Sequence, residues 1–317
     1  MGFSQLLGND RLKNNLTAAV NAGKSAHFYL ICGAPGSGRK TLAKLLGAAL
    51  QCENEDKPCL SCNACRKAMA ATHPDIIIVD DPEKKHVPVD LIRQACSDLY
   101  IRPNEGKKKI YVIPRAQDLR VEAQNAFLKS LEEPPQYGVF ILITDNPEKL
   151  LPTIRSRSVT LQLQALPENI LKAALKKQFP DAQDAAIDAA YSRSGGYLGQ
   201  AIELMDSGTE LMPETEAFLK AFQQRNDMAL TTLLVPLERY KRDRLIPVFQ
   251  QWTELLQQAL VSRAGGKVLL SQAVELGQVR DPKDVLKALR AIQKSIEYAN
   301  GNVSCAAICG WLVWQLR

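Results

Sequence analysis

No run of apolar residues in this 317-residue chain approaches the length of a membrane span, and no charged, apolar and small-residue succession of a secretory signal opens it. Position 6 is leucine, so the Ser or Thr that a myristoylation signal needs after Met1-Gly2 is missing. The chain reads as cytoplasmic, without membrane contact. Aromatic residues make up only 6% of it while alanine and leucine abound, which favours helices. Internal repeats and low-complexity tracts are absent. A formal charge of +6 is mild for this size: it permits contact with nucleic acid without arguing for it. Histidine is scarce too. His27, His73 and His86 stand at no mutual spacing that suits a metal or a catalytic base and read as boundary residues.

What is present divides the chain. Its length allows two or three domains, each with a core of its own. Leu12, Leu16 and Val20 recur at helical spacing, and Phe28–Cys32 is a short apolar strand. Ile76–Val79 predicts a buried strand, Val89, Ile92, Cys96 and Leu99 one face of a helix, and Lys109–Ile113 a third strand. A helix from about Asp118 stops at Glu132-Glu133-Pro134-Pro135, as paired prolines require. Gly138–Thr144 is the fourth strand, Pro147–Leu151 a short helix, and Ser158–Gln164 alternates apolar and polar residues. Strands alternating with helices imply a parallel sheet covered on both faces. After Leu166-Pro167 only helical patterns follow: an alanine-rich group to about Met205, a linker around Ser207–Pro213, and a bundle to Arg317 whose stripe is Val285, Leu289, Ile292 and Ile296.

Two motifs carry chemistry. Between the first strand and a helix-forming run from Thr41 to Leu50 lies Gly33-Ala34-Pro35-Gly36-Ser37-Gly38-Arg39-Lys40-Thr41. An intact phosphate loop reads G-x-x-x-x-G-K-[S/T]: backbone N–H groups cradle phosphate oxygens, the Lys reaches the terminal phosphates, and the hydroxyl holds magnesium. Gly33 and Gly38 keep that spacing, but Arg39 stands at the Lys position and Lys40 at the hydroxyl position. Arginine is too bulky and planar to imitate an ammonium point charge, and a cation at 40 repels magnesium. A competing register takes Lys40-Thr41 as the functional pair with one residue inserted. Weak nucleotide binding at Gly36–Thr41 remains open in either register, because a helix N-terminus attracts anions whatever the side chains.

The second motif is a cysteine cluster. Four of eight cysteines, Cys52, Cys59, Cys62 and Cys65, fall in a polar segment, the last three as C-x-x-C-x-x-C. Two C-x-x-C steps sharing Cys62 put three thiolates in one turn and leave Cys52 to close a tetrahedral zinc site. Four thiolates leave no position for water, so the zinc is expected to be structural. Cys32, Cys96, Cys305 and Cys309 read as core thiols. Lys84-Lys85 and Lys107-Lys108-Lys109 read as solvated loops that could touch a phosphate backbone. Glu132-Glu133 reads as a solvated helix end.

The loop, the cysteine cluster, His73-Pro74-Asp75, the run Asn125-Ala126-Phe127-Leu128-Lys129-Ser130-Leu131-Glu132-Glu133-Pro134-Pro135 and Ser156-Arg157-Ser158 together resemble bacterial clamp-loader subunits of the AAA+ class, the DNA polymerase III family that includes gamma/tau and delta-prime. The resemblance covers the first two domains in order; the third matches only in being helical. It implies an α/β plus all-α chain. Residues 1–165 would form an AAA+ P-loop domain with a parallel sheet and a zinc insertion at about 52–65, residues 166–208 a helical lid, and residues 209–317 a helical collar through which subunits assemble.

Where motor subunits carry an Asp-Glu pair after the third strand, for magnesium and water activation, this chain has Pro114-Arg115. Where their lid presents an arginine, the run Gly196-Tyr197-Leu198-Gly199-Gln200-Ala201 has Gly199. These departures, with the Arg39-Lys40 exchange, point to the delta-prime type, which does not hydrolyse ATP, over gamma/tau, the alternative. The resemblance then implies a hetero-pentamer with gamma/tau and delta-like subunits, acting on primed DNA and the sliding clamp. In it Arg157, at the start of the last strand, would reach the ATP of a neighbouring subunit. ATP or ADP binding by this chain itself stays open. A motor ATPase and a stand-alone zinc-dependent nucleic-acid binder are the competing readings.

Overall fold

The computed structural model describes residues 2–207, 211–266, 268, 270–301 and 303–316; the domain boundary expected at 208–209 lies outside them. The chain divides into two compact units, Met1–Ala174 with Gly195–Gln200, and Leu175–Ser194 with Ala201–Arg317. Its elements are α1 (Asp10–Asn21), β1 (Phe28–Cys32), α2 (Arg39–Gln51), α3 (Asn63–Met69), β2 (Ile76–Ile78), α4 (Val89–Asp98), β3 (Lys109–Ile113), α5 (Val121–Glu132), β4 (Gly138–Thr144), α6 (Pro152–Arg157), β5 (Val159–Gln162) and then, among the described residues, helices alone. These are α7 (Glu168–Gln178), α8 (Asp184–Arg193), α9 (Leu198–Ser207), α10 (Pro213–Gln223), α11 (Asp227–Leu237), α12 (Arg242–Arg263), α13 (Ser271–Val279), α14 (Pro282–Asn300) and α15 (Cys305–Leu316).

The first unit is built on a five-stranded parallel sheet in the order β2-β3-β4-β1-β5. Central strands covered on both faces must be apolar throughout, and β1 and β4 are buried at every position. Side chains alternate between faces. Phe28, Leu30, Tyr111, Phe140 and Leu142 pack with residues of α4 and α5, while Tyr29, Ile31, Ile110, Val139 and Ile141 pack with residues of α1 and α2. Phe127 of α5 meets Phe140 edge-on, ring centroids 5.2 Å apart. In the second unit Trp252 of α12 is fully buried and stacks on Phe218 at 4.2 Å. Val285, Leu289 and Ile292 of α14 join that core, with Ile296 at its margin.

Four expectations need correction. The strand at 76–79 is short and lies at the sheet edge, so Ile78 is 59% exposed; an apolar triplet cannot announce that no neighbour lies beyond it. The helix expected from Asp118 begins at Val121, after a single 3₁₀ turn at Ala116–Asp118. Arg157 does not open the last strand: Pro152, with its φ preset for a first turn, starts a helix that ends at Arg157, and β5 begins at Val159. Lys109 is not in a solvated loop. It is buried at the start of β3, its Nζ 2.9 Å from both the carboxylate and the carbonyl of Asp98, which also accepts from the Tyr111 hydroxyl.

Candidate nucleotide loop and metal centre

The segment between β1 and α2 forms a tight turn. Gly36 (φ 74°) and Gly38 (φ 92°) lie in the left-handed region that a β-carbon disfavours, and Gly38 is the N-cap of α2. The Ser37 N–H donates to the Ala34 carbonyl at 3.1 Å. Outside the turn stands Gly199, in the first turn of α9, whose N–H donates to the Gly36 carbonyl at 2.9 Å. A β-carbon on Gly36 would fall 2.4 Å from the Gln200 amide nitrogen, and one on Gly199 would fall 2.6 Å from the Gly36 Cα. The position where the resemblance looks for a lid arginine is thus a direct backbone contact that leaves no room for a side chain.

The two cations of the loop diverge. Arg39, the first residue of α2, is mostly buried and lies 4.0 Å from Asp145 just after β4. Burial pulls its guanidinium below the ordinary range, while Asp145 and Cys32 act the other way. Lys40 is exposed and Thr41 half-buried. The Ser37 hydroxyl is buried inside the turn with no hydrogen-bond partner among the described residues.

At the end of β3 the chain runs Ile113-Pro114-Arg115. The Arg115 guanidinium grips the Asp80 carboxylate through Nη2 at 2.7 Å and Nε at 3.1 Å, and Nη2 also donates to the carbonyls of Asp81 (2.9 Å) and Lys84 (3.2 Å). A bidentate arginine–carboxylate pair fixes orientation as well as charge. A neutral proline and an already paired cation cannot coordinate magnesium or take a proton from water.

At the other end of α2 the four cysteines converge. Cys52 is the C-cap of α2 and Cys62 the N-cap of α3. Sulfur atoms of Cys52, Cys59, Cys62 and Cys65 all lie within 4.8 Å of one another, and the Cys59–Cys65 pair is 3.9 Å apart. Metal–sulfur bonds of about 2.3 Å in a tetrahedron require sulfurs about 3.8 Å apart, so this set can hold a metal ion. Backbone N–H groups of Cys62 and Cys65 donate to the sulfurs of Cys59 (3.3 Å) and Cys62 (3.4 Å), the arrangement that stabilises thiolates. Hydrogen bonds from Ser61 and the Cys62 backbone lower the Cys59 thiol to about 5, whereas burial raises those of Cys52 and Cys65. Two buried thiols resist ionisation unless a cation sits among them.

Beside this centre lies a polar network anchored on the His73-Pro74-Asp75 motif, whose partners the sequence does not disclose. Asp75 is fully buried, and its carboxylate accepts from the backbone N–H groups of Asn104 (2.6 Å), Glu105 (3.0 Å) and Gly106 (2.7 Å). Burial would raise its pKa, but these three donors hold it below the usual carboxylate range. Gln51, the last residue of α2, accepts from Lys107 N–H and donates to the Lys108 carbonyl. His73, read as a boundary residue, is 3% exposed and accepts the Asp75 N–H on Nδ1. Arg157 lies apart from the loop's residues in sequence and pairs with Glu132 at 2.9 Å, both partners at least one-third exposed.

Residues 8–167, just over half of the chain, match the model of a family described as DNA polymerase III, delta subunit. The chain is 27% identical over 270 residues to the DNA polymerase III subunit gamma of Buchnera aphidicola subsp. Schizaphis graminum, covering 80% of this chain and 74% of that protein. It is 36% identical over 177 residues to the DNA polymerase III subunit delta' of Pseudomonas aeruginosa, covering 54% of this chain and 53% of that one. The chain thus spans about three quarters of the one relative and about half of the other. A gamma subunit-related protein of Thermotoga maritima superposes over 95% of this chain and 98% of that one at 19% identity, with a TM-score of 0.45.

Proposed function

This chain belongs to the DNA polymerase III delta-subunit family and is related to both gamma and delta' subunits, and on that premise we propose that it is a delta'-like clamp-loader subunit that does not itself hydrolyse ATP. The observation that carries this reading is the Arg115–Asp80 pair. Hydrolysis needs carboxylates to hold magnesium and an activating group for water, and here the corresponding position is a cation turned onto its own acid. Arg39 at the lysine position and the close Gly36–Gly199 contact support the same conclusion.

In this reading Arg157 acts in trans on the ATP of a neighbouring gamma/tau-like subunit. It sits in an exposed pair with Glu132, the kind whose net worth is small and which can exchange for a phosphate. A guanidinium is permanently charged and can donate two hydrogen bonds to phosphoryl oxygens. Zinc is the metal proposed for Cys52, Cys59, Cys62 and Cys65: a closed four-thiolate tetrahedron suits it and leaves it a structural role. Residues 166–208 would be the lid and 209–317 the collar of a hetero-pentamer that, with delta-like and gamma/tau-like partners, loads the sliding clamp on primed DNA. A cytoplasmic location goes with that work, and among the described residues no helix is long and apolar enough to cross a membrane.

The test is ATP turnover by the isolated chain and by the assembled complex. No turnover is expected from the chain alone, and Arg157→Ala in the complex should lower DNA-stimulated turnover at the neighbouring site it serves by about 10³-fold or more. Turnover by the isolated chain that Lys40→Ala abolishes would restore the motor reading and the inserted register. Full activity of the Arg157→Ala complex with assembly intact would remove the role in trans.

A further inference from the structure

The two edges of the sheet differ. At β2 the Ile76 N–H donates to the His73 carbonyl at 3.1 Å, and the Ile76 side chain packs into the cysteine module. The β5 edge has no such cover. Leu163, just past β5, donates to the Cys32 carbonyl of β1 at 2.8 Å, so by the alternation of a strand the N–H and C=O groups of Thr160 and Gln162 point away from the sheet. Among the described residues no strand lies beyond them, and none of these four backbone groups has a hydrogen-bond partner. Asn9 closes one end of the row, its side-chain oxygen accepting the Gln164 N–H at 2.9 Å. Val159–Gln162 also holds neither a proline nor a charge, two of the devices that keep an edge from pairing.

A groove of about 940 Å³ runs along this edge. Its other wall is α1, where Leu12, Leu16 and Ala19 face it at helical spacing. Val159 is in register with Tyr29, hence on the α1 side of the sheet, and is 46% exposed. The two ends of the groove are cationic. Arg11 stands in the first turn of α1, next to Asn9, and Lys24 stands past the end of α1 on the approach to β1. Both are exposed, and neither has an ion pair among the described residues. Asp10, the acid among the lining residues, is paired with Lys13 at 2.7 Å.

We propose that the β5 edge is a docking site for an extended segment of a partner protein, which adds a strand to the sheet, turns alternate apolar side chains toward Leu12, Leu16 and Val159, and carries an acidic residue at each end for Arg11 and Lys24. The added strand would lie about 4.8 Å from β5 and pair over about 13 Å. In such an addition main-chain hydrogen bonds supply affinity and side-chain pockets supply selectivity. A helix laid in the groove would cover its apolar wall and leave the Thr160 and Gln162 backbone groups unmatched. A phosphate backbone would answer the two cations but has no N–H to offer the two carbonyls. A second copy of β5 brings Arg155 and Arg157 at its flank and no carboxylate, so like charges would meet.

The experiment uses the full-length chain and a fluorescein-labelled peptide, Asp-Val-Thr-Val-Thr-Val-Asp, and requires neither ATP turnover nor assembly. Saturable binding by anisotropy is expected, with slower hydrogen exchange in residues 158–164 when the peptide is bound. Replacing both aspartates of the peptide by lysine should weaken binding about tenfold, the worth of two exposed ion pairs. Because the N–H groups of a strand alternate in direction, N-methylation of the valines and N-methylation of the threonines should differ: one series loses binding and the other keeps it. Thr160→Pro removes an outward N–H without touching the ladder to β1 and should abolish binding while the melting of the chain stays that of the parent. The N-methylated peptides give the same answer on the unaltered chain should that variant misfold. No saturation by about 1 mM peptide, equal loss from both N-methylated series, or binding without protection of residues 158–164 overturns the proposal. Self-association of the chain that Thr160→Pro abolishes would seat a second copy on the edge and overturn it equally.

Discussion

Helix α2 starts at a glycine turn and ends thirteen residues later at a cysteine, and the two ends are assembled in different ways. At the C-terminal end the ligand atoms come from Cys52 and from one short turn, Cys59 to Cys65, and they converge within 4.8 Å. At the N-terminal end a working nucleotide site would need groups from three distant places: the loop, the end of β3 and the start of α9. In this chain each is engaged with another protein group. Arg39 faces Asp145, Arg115 is clasped by Asp80, and the Gly36 carbonyl takes the Gly199 N–H. Groups held by local spacing converge as a unit, whereas groups that long-range packing must deliver can each be engaged elsewhere while the fold stays.

The comparison breaks first if the cysteine end proves dispensable. Purified protein should carry one zinc per chain, and removing it or making Cys62→Ser should cost roughly 5 kcal/mol or more locally, because structural zinc supplies on the order of 10 kcal/mol to modules of this size. Metal analysis and limited proteolysis between residues 52 and 65 give the answer; a metal-free chain that resists cleavage there refutes the metal centre.

The next largest effect belongs to the network anchored beside it. Asp75→Asn removes the charge from three backbone donors and should lower stability by about 2–3 kcal/mol in chemical denaturation. Since the folded carboxylate lies below its ordinary range, its contribution is present above about pH 4 and is lost as pH falls through the folded value. The variant should therefore show a flatter acid limb; an unchanged acid limb would mean that Asp75 carries no such charge.

At the loop end the effects should be smaller. Gly199→Ala forces a β-carbon to within 2.6 Å of Gly36 and should cost about 2 kcal/mol, read from the thermal midpoint. Arg39→Ala should change stability by no more than about 1 kcal/mol, because its distance of 4.0 Å to Asp145 is at the limit of an ion pair. A loss from Arg39→Ala as large as that from Asp75→Asn would show that the loop end, too, is held by its charges.

Strong local patterns announced much of the structure. Lys109–Ile113 and Gly138–Thr144 are strands over the limits that their apolar runs suggest, because a central parallel strand must be apolar on both faces. Val285, Leu289 and Ile292 line one helix face, and the C-x-x-C-x-x-C spacing brings three sulfurs to one turn. Helix and turn geometry act over three to seven residues, so a pattern of that length determines them.

What the tertiary structure alone decided involves partners far apart in sequence. Asp80 and Arg115 are 35 residues apart, Asp75 and Gly106 are 31 apart, and Gly36 meets Gly199 from across the whole sheet-forming segment. The same three-lysine run holds an exposed Lys107 and a buried, paired Lys109, and three isoleucines form an edge strand instead of a central one. In each case the residue type permits several environments, and the choice depends on which distant element the packed core delivers beside it. The open edge of β5 is of this kind as well: its alternating residues are written in the sequence, but only the strand order and the place of α1 leave it unpaired beside a groove.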